Sequence, residues 1–218
     1  MTDENITPNA TSSRVPFDVT KNVLDEQRQS ARSDLDSKLN EEERVAFYDH
    51  SSERAMAIVL GAIVENHLTE LLRLLMRREK DIASQLFHPS GPLGPFGTKI
   101  RLAYMFRIIG PEMYGDLTAV YKIRNKFAHD LTAVTFDEKQ IYAWIQNMHI
   151  YKIVKKVADE AKVRMAENTS VNSASDLIAS KFTSSARDSY RACLRLVIHQ
   201  IIDQEAAIRN AEENLNRT

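Results

Sequence analysis

An all-α fold, a single bundle of about six to seven helices, is what the sequence predicts. Three observations carry it. Apolar residues recur every three or four positions through 55–76, 98–161 and 184–215. Neither glycine nor proline occurs after Gly115. The only strand-like run, Ala133-Val134-Thr135-Phe136, is too short and isolated to build a sheet.

Element by element, the front of the chain is the least regular. Residues 1–40 form a polar, largely disordered segment, with weak helical spacing at Val23, Leu24, Leu35 and Leu39. A single all-α domain then occupies 41–218, starting with a helix near Glu41 that Asn40 caps. The segment 55–76 is apolar around nearly its whole circumference, which marks a central helix. Its polar exceptions include Glu65, His67 and Glu70.

The stretch 87–97 holds three of the six prolines and three of the six glycines and reads as a rigid connection, with Leu93 and Phe96 as anchors. It lacks the Gly-Lys-Ser/Thr ending and the preceding strand of a phosphate loop. A helix over 98–109 follows, and Gly110-Pro111 stops it and starts another that runs to His129. Asp137 is placed to cap a helix carrying Ile141, Trp144, Ile145 and Met148, and a further helix carries Ile153, Val154 and Val157. After a polar connection at 168–175, the closing segment is long and amphipathic, and its charged last third fits a contact with a second subunit.

Charge and cysteine usage narrow the function classes. Formal net charge is −1, so no global field draws the chain onto nucleic acid. Residues 1–50 hold 11 acidic and 6 basic side chains, which leaves the remainder modestly basic. Basic runs at Arg73, Arg77, Arg78 and Lys80, and at Lys152, Lys155 and Lys156, read as solvated helix faces, and direct DNA binding is not expected. The lone Cys193 lies among apolar neighbours, as in a reducing compartment. No signal core precedes residue 14, and the apolar run 55–64 is short of the roughly 18 to 20 residues a spanning helix needs. A cytoplasmic protein with no membrane partner is expected.

One locus carries chemical interest. On a helix, Met113, Leu117, Val120, Phe127 and Leu131 fall within about 60° of Arg124, so this arginine sits in an apolar stripe. A guanidinium cannot shed its proton to escape burial, so it requires a carboxylate, carbonyls or an anion. Glu65 or Glu70, on the central helix, is the expected partner. Asn125 and His129, four apart, share the neighbouring face. His67 and Glu70 are a single ligand-type pair where a di-metal bundle uses two, so no metal and no cofactor are expected.

Several of these motifs occur together in one known family. Ser90-Gly91-Pro92-Leu93-Gly94, then Lys99-Ile100-Arg101-Leu102-Ala103-Tyr104, then 124–130 with Phe136 and Asp137, resemble the mannitol operon repressor family over about 55–148. That resemblance implies a small all-α bacterial protein without a helix-turn-helix, which regulates a sugar-alcohol operon through a protein partner. Separately, the end of the last helix leads us to expect a homodimer or higher homo-oligomer. A narrower likeness is to the HEPN superfamily, whose Arg-x4-His motif is similar to Arg124-Asn125 followed by His129. It implies a metal-independent ribonuclease in which Arg124 holds the scissile phosphate, His129 transfers a proton and Asn125 orients one of them, with RNA as the partner. Five residues separate Arg124 and His129 by about 140° on a regular helix, so they meet only where the helix ends or two chains face each other.

Overall fold

The structure, a computed structural model, describes residues 39, 43, 52–77, 79–130, 132–166 and 185–215. The expected helix at 41, the segment 1–40 and the connection 168–175 lie outside these residues, apart from Leu39 and Glu43. Seven α-helices and no strand are found among the described residues: α1 (Glu53–Leu74), α2 (Lys80–Phe87), α3 (Phe96–Met105), α4 (Pro111–His129), α5 (Lys139–Asn147), α6 (His149–Ala166) and α7 (Ala186–Leu215). The fold is all-α, as the helical spacing indicates.

Helix α1 is the centre of the bundle. Ser52 caps it by accepting the Ala55 N–H at 3.1 Å, and Glu53 in the first turn and Arg73 in the last suit the helix dipole. Met56, Leu60, Val64, Leu68 and Leu71 are fully buried where α7, α4 and α3 pack on it. By length and composition α1 is also long and apolar enough to cross a membrane. Its packing against three other helices is that of a core helix.

Helix α2 has no counterpart in the expected elements. Most of its residues are exposed, and only Phe87 is buried, under the Arg73 guanidinium 5.1 Å from the ring centre. Its apolar residues Ile82, Ala83, Leu86 and Phe87 do recur at helical spacing, but eight residues are fewer than the window over which that period is distinctive. The connection after it is held by Leu93 N–H to Leu86 O at 2.9 Å and Gly94 N–H to Gly91 O at 3.0 Å. A side chain at Gly91 would collide with the carbonyls of Gln85 and Leu86, and one at Gly94 with those of His88 and Pro89. Phe96 is buried and Leu93 is packed at the core edge, so the connection is shaped and anchored.

Helix α3 ends at Met105, four residues earlier than its apolar periodicity suggests. Arg107 adopts φ 60°, and the N–H groups of Arg107 and Ile108 turn back to Tyr104 O (2.9 Å) and Ala103 O (3.0 Å). This is a Schellman ending, which turns the chain although the residues continue to look helical. Pro111 stands in the first turn of α4 as expected. Asp137 does not cap α5: the N-cap position falls on Glu138, which makes no side-chain capping bond. The approach to α5 is instead fixed by Glu53, whose Oε2 accepts the Phe136 N–H at 2.7 Å. In the core, Phe127, Phe136 and Tyr190 stack in series, with ring centres 4.8 and 4.9 Å apart.

Candidate functional site

Three helices contribute to one charged cluster. Arg124 of α4 donates from Nη1 to Glu65 Oε2 of α1 at 2.9 Å, and Lys99 of α3 donates to the other oxygen, Oε1, at 2.8 Å. Glu65 is 14% exposed, Lys99 7% and Arg124 28%, so one shielded carboxylate serves two cations. The position of Arg124 follows from Gly61: a Cβ there would come within 3.0 Å of Arg124 Cδ. With only hydrogen at that point, the aliphatic stem lies against α1 and the guanidinium reaches Glu65. The Phe96 ring lies on another side, 6.0 Å from the guanidinium carbon. Near this charge, burial raises the Tyr190 hydroxyl far above its ordinary pKa, a shift that Arg124 opposes.

The other candidates sit apart from this cluster. Glu70 is exposed and faces Arg73 on its own helix, at 3.7 Å. Asn125 is half-buried and His129 is exposed in the last turn of α4. That helix continues unbroken through His129, so within one chain the angular separation of Arg124 and His129 remains.

The end of α4 is held from the opposite direction by a residue with no sequence signal. Arg54, in the first turn of α1, donates to the carbonyls of Phe127 (2.6 Å) and Asp130 (2.7 Å), which a helix end otherwise leaves unpaired, and to that of Thr132 (2.9 Å) just beyond the helix. Asp130 then accepts from the Thr132 hydroxyl (2.7 Å) and N–H (3.1 Å) and from Lys126 (3.1 Å). These bonds lower its pKa to about 2, the Thr132 hydroxyl contributing most.

Two further ionisable groups are shielded. Asp116, on the buried side of α4, accepts the N–H groups of His149 (2.5 Å) and Ile150 (3.1 Å), capping α6 from a neighbouring helix. Burial pushes its pKa up to about 6 against the pull of those bonds. The cavity of about 30 Å³ beside it, between Asp116, His149, Gln200 and Gln204, has room for a water and not for a metabolite. His67 lies between Glu43 (3.1 Å from Nε2) and Glu205 (3.8 Å from Nδ1). Burial lowers its pKa, and the two carboxylates outweigh that and raise it. Because they face opposite ring nitrogens, they do not converge on one metal. Among the described residues no three His, Cys, Asp or Glu side chains are grouped to hold an ion.

Lys99 and Asp116 were within reach of the reasoning applied to Arg124. Lys99 shares a face with Phe96 and Ala103, and Asp116 shares one with Met113 and Val120. Arg54 and Gly61 carried no such signal, since their roles depend on which helices meet.

Comparison with known proteins adds the family. The sequence profile of the mannitol repressor family matches residues 37–205. A chain of the X-ray structure of the MtlR–HPr complex from Escherichia coli superposes with a TM-score of 0.53 at 18% identity, over 73% of this chain and 97% of that one. At that identity the likeness is one of fold. No curated protein matches the chain significantly. The profile match spans most of the sequence, including the connection at 87–97, the three-helix charge cluster and most of α7, and the chain belongs to the mannitol repressor family.

Proposed function

We propose that the protein is a bacterial regulator of the mannitol repressor type, acting in the cytoplasm on transcription through contact with another protein and not through a DNA-reading helix. The observation that carries this reading is the family match over 37–205. Two features support the protein-contact part. Among the described residues the exposed faces carry short groups of cations, such as Lys152, Lys155 and Lys156, and no dense track of the kind that duplex binding uses. The E. coli structure of similar fold is a complex with HPr, which makes HPr the partner to test first. Glu65, Lys99 and Arg124 then serve to lock α1, α3 and α4 into the shape that the partner meets. The ribonuclease reading gains no support from a single chain, because Arg124 is held by Glu65 while His129 stands exposed elsewhere on α4.

The test combines genetics with binding. Deleting the gene should raise expression of the controlled sugar-alcohol operon, and purified protein should bind HPr in a calorimetric titration while leaving operator DNA unshifted. Unchanged expression on deletion, or a sequence-specific DNA shift by the protein alone, would refute the reading.

A further inference from the structure

The Schellman ending of α3 has a consequence at the surface. By stopping the helix at Met105 it turns out three successive large side chains: Tyr104, Met105 and Phe106 are 39%, 74% and 59% exposed. A burial-driven fold does not place a methionine and a phenylalanine side by side in water without cause, and neighbouring exposed apolar groups of this kind mark interaction sites. The patch also has a firm base, since the Tyr104 ring lies on Tyr114 of α4 with centres 4.6 Å apart.

The residue that makes the turn points the same way. Arg107 takes φ 60°, a left-handed conformation in which glycine is less strained than a residue bearing a Cβ. An arginine there places a cation beside Phe106 at some conformational cost. Arg101, one turn back on α3, is exposed too, and the one hydrogen bond of its side chain among the described residues is to Thr98 at 3.4 Å. Neither arginine has an ion-pair partner among the described residues. From residue 82 to 111 the chain has Lys99, Arg101 and Arg107 and not one aspartate or glutamate.

We infer that Tyr104, Met105 and Phe106, flanked by Arg101 and Arg107, form a docking surface for a protein segment that presents an apolar side chain between carboxylates, a surface that rests on the reading of the chain as a protein-contact regulator. Tyrosine, phenylalanine, methionine and arginine are the residue types enriched where interfaces bury their centres. The charge selects the occupant. A second copy of the chain meeting this face two-fold would set arginine against arginine. Single-stranded nucleic acid uses a longer cationic groove with successive stacking rings, whereas here two exposed cations flank a flexible thioether, the partly exposed Phe106 ring and a Tyr104 ring already stacked on Tyr114.

A photo-crosslinking phenylalanine analogue in place of Phe106, in the full-length protein in cells, reads the occupant directly. The expected result is one dominant protein adduct whose crosslinked peptide carries carboxylates next to an apolar residue. Its yield should fall at least tenfold with Arg101→Glu and Arg107→Glu together, and should be unchanged by Ile82→Ser on exposed α2. Folding of each variant is checked by circular dichroism, and all four positions are exposed enough to tolerate the change. The surface is overturned if no adduct forms, or if charge reversal leaves the yield intact. It is equally overturned if the adduct is a second copy of this chain, its own first 38 residues, a nucleic acid, or a peptide without acidic residues. These outcomes are separate from the operon-expression and DNA-shift results, which judge the regulatory function itself.

Discussion

Arg124 and Glu65, 59 positions apart in sequence, meet at 2.9 Å and bind α4 to α1, with Lys99 on the carboxylate's second oxygen. Removing the shared anion strands two cations in a shielded seam. Glu65→Ala should therefore cost about 3 kcal/mol of stability, whereas Lys99→Met should cost less than about 1 kcal/mol, because one matched pair remains. Urea unfolding of the two variants decides the point, and equal losses would show that Lys99 and Arg124 are not sharing one counter-charge.

Arg54 closes the carboxyl end of α4 with three hydrogen bonds to carbonyls. Arg54→Ala should destabilise by about 2 kcal/mol, the range for bonds made by a charged donor. Hydrogen exchange should speed up in the last turn of α4 more than in α1. If exchange rises evenly along both helices, the clamp is not local.

Asp116 gives a pH dependence with a defined sign. Its folded pKa, about 6, lies above the ordinary value of 3.8, so between these the folded state keeps a proton that the unfolded chain has released. Its contribution is fully present below the lower value and is lost as pH rises through the upper one. The stability difference between wild type and Asp116→Asn should therefore move against wild type by on the order of 3 kcal/mol between about pH 4 and pH 7. Denaturation across that range measures it, and a constant difference would mean that Asp116 titrates normally.

Tyr190 is buried, and its hydroxyl has no hydrogen-bond partner among the described residues. Tyr190→Phe keeps the ring against Phe136 and removes a group that burial penalises. An increase of about 1 kcal/mol is expected, or a Tm higher by about 2–4 °C for a chain of this size. A drop in Tm would place an ordered donor or acceptor at that hydroxyl.

Much of this architecture was legible in the order of residues. The unbroken apolar circumference of 55–76 marked the central helix, the glycines and prolines of 87–97 marked a shaped connection, and the period along 111–129 exposed Arg124 as a charge on an apolar face. Helix α2 was missed because Ile82, Ala83, Leu86 and Phe87 repeat over only eight residues, too short a window to set a helix apart from a connection. Nor was the early end of α3, because a left-handed Arg107 carries none of the signal that a glycine would.

By itself, then, the sequence determined the helical class, the central helix and the need of Arg124 for a counter-charge, because periodicity and the cost of burying a guanidinium are local properties. Only the tertiary structure decided that Glu65 answers that need while Glu70 turns to Arg73, that Gly61 makes way for the arginine, and that Arg54 closes α4. Each of these depends on which helix faces bring residues dozens of positions apart within about 3 Å, a distance set by packing and not by spacing along the chain.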